Sequence, residues 1–382
     1  MFIRVIHMKK ILFTLLAVLL CSCRGDDPVI NPDMTPIGTP RSLSTFTAGE
    51  PTAFFLLNQG NMGSNKATID YCDFVAGIYY RNIFPSRNPS VVKELGDVGN
   101  DLKIHGDRLY AVINASHKVE VMDLEAHRIG QIDIPNCRNI VFHGGKGYVS
   151  SFVGGIGDID SPHGAVYEFD IQSLEVTRSV SVGFQPEQMV LVDNNIYVVN
   201  SGGYRGYDNP DNYERTVSVI DLASFAVVRT IDVGAVNLLR IAADEQEQLW
   251  ILSQGDYVNT TSTLLVAQPP YNNFENLNIR CSNFAMHGDK LYYYDGNAKT
   301  YGIISTTSHS VINTSFITDG TDKTIDMPYL ITANPSTGEV MIGDAKNYVS
   351  SGTLSCYTPQ GTLRWRVTTG DIPAALAWVK SE

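Results

Sequence analysis

A pattern that recurs seven times constrains this chain more than any other feature. Its clearest copy is an alternating strand, Leu109-Tyr110-Ala111-Val112-Ile113, that ends at Asn114. A loop follows, then a strand Val119-Glu120-Val121-Met122 ending at Asp123, and a short third strand from Arg128 to Ile132. The same order returns in Ile196–Asn200, Val217–Asp221 and Val227–Val233, and again in Gly147–Ser151 with Val166–Asp170. Weaker copies are placed by the large residue of the first strand in the pattern. Along the chain these markers are Phe55, Tyr110, Tyr148, Tyr197, Trp250, Tyr292 and Met341, spaced 55, 38, 49, 53, 42 and 49 residues apart. A period near about 45 residues with about four strands per unit is that of a propeller blade.

The joints and the two ends agree with that reading. Val182-Gly183-Phe184-Gln185-Pro186 and Thr369-Gly370-Asp371-Ile372-Pro373 have the form of blade-to-blade turns. Glycine permits the sharp turn, and proline fixes φ at the start of the next inner strand. Ala374-Ala375-Leu376-Ala377-Trp378 is an inner strand with no blade after it, and Ala53 to Leu57 is a second strand with no inner strand before it. Pairing the two closes a ring and removes the sheet edges that invite aggregation. The expected fold is therefore all-β, a seven-bladed β-propeller over residues 52–382, closed by its N-terminal and C-terminal strands.

Composition supports this class. The chain is rich in β-forming Val, Ile, Tyr and Phe, charged residues make up 18%, and long helical patterns are absent. Four cysteines lie in the folded region, Cys72, Cys137, Cys281 and Cys356, with no CxxC spacing, so they are expected to be buried free thiols rather than a zinc site.

The N-terminus reads as a signal. Met8-Lys9-Lys10 precedes an apolar run, Ile11 to Leu20, that is too short to span a bilayer. Leu20-Cys21-Ser22-Cys23 resembles a bacterial lipobox, which implies a lipoprotein signal peptide over 1–22 and lipid on Cys23. Arg24-Gly25-Asp26-Asp27 resembles the acidic export signal of Bacteroidota surface lipoproteins. Residues 23–51, punctuated by Pro28, Pro32, Pro36 and Pro40, read as a lipid-anchored flexible tether. The expected location is the outer membrane, facing outward, with the lipid as the only membrane contact. Removing the signal leaves 25 basic against 40 acidic residues, a net charge of −15, which disfavours nucleic acid as a partner.

Chemistry is expected on the loops that follow the marker strands. Two are long, Phe152 to His163 and Gly202 to Tyr213; a third holds Asp256 and Tyr257, and a fourth Asn347 and Tyr348. Long loops in a compact repeat tend to be functional. Tyrosine brings flat apolar area with a hydroxyl, and Asn and Asp bring hydrogen-bonding groups, a mixture suited to a large rigid ligand. The candidate ligand-binding residues, taken from loop position, are Asn58, Asn114, Phe152, Phe184, Tyr204, Tyr207, Asp208, Tyr257, Tyr348 and Asp371. Asp158 with Asp160, and Asp208 with Asp211, lack the spaced oxygens of an EF-hand. The chain contains no HExxH, GxSxG, P-loop or dinucleotide fingerprint. No catalytic residue, metal or cofactor is therefore assigned, and the chain reads as a binder rather than an enzyme.

Several phrases carry a family resemblance. Val217-Ser218-Val219-Ile220-Asp221 and Val182-Gly183-Phe184-Gln185-Pro186 look like those of YncE-like and surface-layer propeller proteins. Phe55-Leu56-Leu57-Asn58-Gln59-Gly60-Asn61, Leu95-Gly96-Asp97-Val98-Gly99, Asn334–Val340 and the stretch from Gly352 to Trp378 resemble BtuG-type surface lipoproteins of Bacteroidota. That resemblance implies capture of cobalamin or another corrinoid, as ligand rather than cofactor, and delivery to a TonB-dependent outer-membrane transporter. The competing expectations are an adhesive surface propeller that binds a protein or glycan, and a lyase or hydrolase on the same scaffold.

Overall fold

The repeat becomes structure because each hairpin is apolar on both faces and must be sandwiched. In the computed structural model, which describes residues 31–91 and 94–381, every marker strand is buried along most or all of its length. Strands covered on both sides read as continuous apolar runs.

The strands are β1 (Asp33–Pro36), β2 (Pro51–Asn58), β3 (Thr68–Asp73) and β4 (Ile78–Arg81), then β5 (Gly99–His105), β6 (Arg108–Ile113), β7 (Lys118–Asp123) and β8 (Arg128–Asp133). Next come β9 (Cys137–His143), β10 (Lys146–Ser151), β11 (Ala165–Asp170), β12 (Val176–Ser181), β13 (Pro186–Val192), β14 (Asn195–Asn200), β15 (Thr216–Asp221) and β16 (Ala226–Asp232). They are followed by β17 (Leu238–Ala243), β18 (Leu249–Ser253), β19 (Thr263–Ala267), β20 (Glu275–Asn276), β21 (Asn283–His287), β22 (Lys290–Asp295), β23 (Thr300–Ser305) and β24 (Val311–Asn313). The last are β25 (Pro328–Ala333), β26 (Val340–Asp344), β27 (Ser351–Tyr357), β28 (Leu363–Asp371) and β29 (Pro373–Lys380). Two short helices, α1 (Phe84–Arg87) and α2 (Gly203–Asp208), lie in connections.

Six sheets are four-stranded antiparallel blades, each built from four consecutive strands. The remaining blade has the order β1-β4-β3-β2-β29 and joins the two ends of the fold. Phe55 faces Ala377 and Leu57 faces Ala375 across that closure. The fold is thus the expected seven-bladed β-propeller, closed by its terminal strands.

The core is divided into seven wedges, one between each pair of neighbouring blades. Alternation along one strand feeds two wedges. Phe54 and Leu56 pack with Met341, Leu354 and Trp365 of the last blade. Phe55 and Leu57, on the opposite face of β2, pack with Leu102, Leu109 and Ala111. The outer strands turn polar, as in Val176–Ser181, where five of the six residues are exposed and none is buried. Cys72, Cys137, Cys281 and Cys356 are free and buried, as the sequence suggested.

The tether differs from expectation. The signal peptide and Cys23 lie outside the described residues, but part of the 23–51 segment is ordered against the propeller. Residues 33–36 pair with 78–81 as a fifth strand. Arg41 N–H donates to Val75 O at 2.9 Å, and Ser381 N–H to Glu50 O at 2.9 Å. The reason is the free edge of β4, whose unpaired backbone groups accept any extended segment, polar or not. A low apolar content therefore did not leave this stretch loose.

Candidate functional site: the mouth of the central channel

A single device recurs at the top of the inner strands. Six of the seven carry a β-bulge where they enter the channel: residues 99–101, 137–140, 186–189, 238–240, 328–330 and 373–375. A bulge leaves an extra residue unpaired and re-aims its side chain. Asn100, Arg138, Glu187, Leu239, Tyr329 and Ala374 are those residues, and all six line one cavity of about 830 Å³. That volume lies within the range of about 300–1,000 Å³ usual for small-molecule sites.

Polar contacts link each blade to the next around this mouth. Asn100 Nδ2 donates to Arg138 O at 2.6 Å. Arg138 meets Glu187 through two parallel bonds of 3.0 and 3.1 Å. Ile241 N–H donates to Gln188 Oε1 at 3.1 Å, and the Arg240 guanidinium donates to Asn283 Oδ1. Asn283 Nδ2 donates to Tyr329 O at 2.9 Å, and Tyr329 Oη to Gln59 Oε1 at 2.6 Å. Gly99 N–H closes the circuit on Gln59 O at 2.9 Å. Such bonds fix the orientation of the Asn100, Gln188, Asn283 and Gln59 amides before any ligand arrives, which lowers the ordering cost of binding.

Burial shapes the charges here. It opposes the charge of Arg138, but Glu187 beside it holds the guanidinium above its ordinary range. Burial pulls Arg240 down, because no carboxylate neighbours it closely enough to compensate. Burial likewise raises the Tyr329 and Tyr294 phenols, so both stay neutral hydrogen-bonding groups.

Two matched tips overhang the cavity. Asp256 Oδ1 accepts from the N–H groups of Val258, Asn259 and Thr260, and Asn347 Oδ1 accepts from those of Val349 and Ser350. Each side-chain-capped turn holds the next residue, Tyr257 or Tyr348, at positive φ, 58° and 64°. Non-glycine residues rarely adopt that conformation, and it concentrates at functional sites. Tyr257 is 64% exposed and Tyr348 39%, so both rings are available to a ligand.

The candidates chosen by loop position divide. Tyr257 and Tyr348 line the cavity. Asn58 and Asn114 are fully buried and bond to Thr68 (3.1 Å) and to Asn136 and Cys137 (2.7 and 2.8 Å). At the end of a marker strand the amide turns toward a neighbouring strand, so it ties strands together. Phe152 is buried beneath Arg138, whose Cζ sits 4.7 Å above the ring, and Tyr204 packs edge-on against Phe152 at 5.6 Å. Phe184 is held between His163 (3.9 Å) and Arg205 (3.5 Å). Tyr207 and Asp208 project to solvent from α2, away from the cavity lining. The Asp371 backbone oxygen accepts from Gly60 N–H at 3.1 Å, and its side chain is not part of the wall.

The wall residues Asn100, Arg138, Glu187, Arg240, Asn283 and Tyr329 were not among the candidates. Their signal was positional: each lies one to three residues into its inner strand or on it, just after a blade turn. No group of three or more His, Cys, Asp or Glu among the described residues is placed to hold a metal ion.

Comparison with known proteins agrees with the architecture. Among solved structures, hydrazine synthase of Kuenenia stuttgartiensis superposes with a TM-score of 0.56 at 15% identity, covering 73% of this chain and 89% of that one. At that identity the likeness concerns the fold alone. A search of curated proteins finds no match. Residues 52–358, most of the chain and nearly the whole ring, match the family described as a domain of unknown function, DUF5074, and the chain belongs to that family.

Proposed function

We propose that this protein is a non-catalytic capture protein for a large polar small molecule, held at the mouth of the propeller channel. The observation that carries the reading is the open cavity of about 830 Å³, with its amide-rich wall and the overhanging Tyr257 and Tyr348. Two flat rings over a polar floor suit a broad, rigid ligand edged with amides. A corrinoid such as cobalamin is the ligand class we favour, in line with the resemblance to BtuG-type lipoproteins. In that reading lipid on Cys23 holds the protein at the outer surface of the outer membrane, and the ligand passes to a TonB-dependent transporter. The two carboxylates of the wall, Asp101 and Glu187, are each engaged by a cation, at 3.3 and 3.0 Å, which favours binding over acid–base chemistry. Calorimetric titration of the purified protein with cyanocobalamin tests the ligand class. Absence of binding at micromolar ligand would exclude it.

One observation favours a second reading, a propeller that docks a protein or glycan. Met62, Ile159, Tyr207, Val258 and Val349 are exposed on loops that follow marker strands, all on the face that bears the cavity. Recovery of an adhesive partner without any transporter from solubilised outer membranes would support it.

A further inference from the structure

The charge on the cavity wall runs against that of the molecule. The whole chain carries −12, yet the lining holds four cations, Lys103, Arg138, Arg240 and Arg280, and two carboxylates, Asp101 and Glu187. Two of the cations are matched. Lys103 lies 3.3 Å from Asp101, and Arg138 lies 3.0 Å from Glu187. Arg240 has only neutral partners: its Nε donates to Gln188 Oε1 at 3.4 Å and its Nη1 to Asn283 Oδ1. Among the described residues no carboxylate is within ion-pair reach of it. Asp101 acts on it only from farther off and is committed to Lys103 and to Ile140 N–H at 3.1 Å.

Arg240 therefore has unused donors. A guanidinium offers five N–H groups in a planar fork. Among the described residues its Nη2 bonds to no protein atom, yet it is not sealed from solvent, and the side chain lines the cavity. A desolvated cation without a counter-charge is costly, and an arriving anion removes that cost. Planar guanidinium groups match carboxylate and phosphate oxygens, in charge-assisted bonds stronger than neutral ones. Arg280, exposed at the same mouth, would draw anions inward past an otherwise acidic surface.

We propose that Arg240, assisted by Arg280, forms an anion subsite on the channel wall, taking a carboxylate or phosphate group of the ligand while Tyr257 and Tyr348 cover its body. The inference rests on the reading of the cavity as a ligand site and adds the charge class of that ligand. Thermal unfolding of the purified protein, titrated with sodium phosphate or with sodium acetate at constant ionic strength, tests it. Saturable stabilisation by at least one of the two anions is expected, and the stronger response identifies the oxygen chemistry preferred. Arg240→Gln should weaken the apparent affinity at least tenfold, and Arg280→Gln several-fold. Arg215→Gln, at an exposed arginine outside the cavity, should leave it unchanged. If Arg240→Gln does not fold, the Arg280→Gln arm decides, since that side chain is exposed. No saturation in the wild type, or equal responses in the wild type and both cavity variants, overturns the subsite. Failure of cyanocobalamin to bind while the anion response persists would count against the corrinoid alone.

Discussion

The Arg138–Glu187 pair joins the inner strands of two neighbouring blades, and its removal should be strongly non-additive. The two side chains retain 16% and 8% exposure and meet through bonds of 3.0 and 3.1 Å. At about 3 Å and an effective dielectric of about 20, the Coulomb attraction is about 5 kcal/mol. Most of that offsets the cost of desolvating both groups. Removing one partner leaves the other charged and buried, so Arg138→Met or Glu187→Leu alone should cost about 3–5 kcal/mol. Arg138→Met should also loosen Phe152, because the guanidinium packs 4.7 Å above that ring. The double variant replaces both charges with apolar side chains and should lie within about 1–2 kcal/mol of the wild type, or above it. Urea unfolding followed by tryptophan fluorescence, with comparable slopes, gives the cycle. A double variant destabilised by the sum of the singles would refute the reasoning, because independent sites add and a coupled pair does not.

Other consequences can be measured directly. Burial pushes Tyr71, Tyr213 and Tyr271 each up to about 12. The unfolded chain releases those protons near about pH 10, so stability should be full below pH 10 and fall as pH rises toward 12; a urea midpoint that stays level between pH 9 and 11.5 would contradict this. Burial raises all four propeller thiols, Cys137 to about 12, so none should react with a disulfide reagent in the native protein and all four should react in guanidinium. Gly147→Ala should cost about 1–3 kcal/mol, since its Cβ would stand 2.2 Å from the Phe169 ring in a closed wedge; an unchanged melting temperature would show that the wedge gives way freely. Tyr257→Ala and Tyr348→Ala should each weaken binding of the cavity's ligand about tenfold or more with little change in stability, because both rings are exposed.

The blades were legible because their cause is local. Alternation and turn residues are written in consecutive positions, and a repeat writes them seven times. Even the closing pair, Phe55 against Ala377, could be read, since each end lacked what the other supplied. The site was legible only at Tyr257 and Tyr348, whose loops follow a side-chain-capped turn. Asn58 and Asn114 share the amide chemistry of a binding site, but their strand positions turn them toward a neighbouring strand. Arg138 and Glu187 look like ordinary strand residues until the bulge aims them at the channel, and their partnership spans 49 residues. A bulge depends on how two strands register, which no single strand's pattern states. Strand β1 was missed for a related reason: Asp33-Met34-Thr35-Pro36 has no strand signature of its own, and the edge of β4 imposes one.

That added strand changes how the ring could be moored. Strand β1 lies at the outer end of its sheet, the opposite end from β29 and the channel. If Cys23 carries lipid, only the ten residues 23–32 separate the membrane from the perimeter of the disc. At about 3.3–3.6 Å each they reach at most about 35 Å, less than the thickness of a bilayer with its headgroups, about 40–45 Å. The rim of the ring, and not the channel mouth, would then be the point held at the membrane. Whatever path those residues take, a lipid on Cys23 would keep that rim within about 35 Å of the membrane.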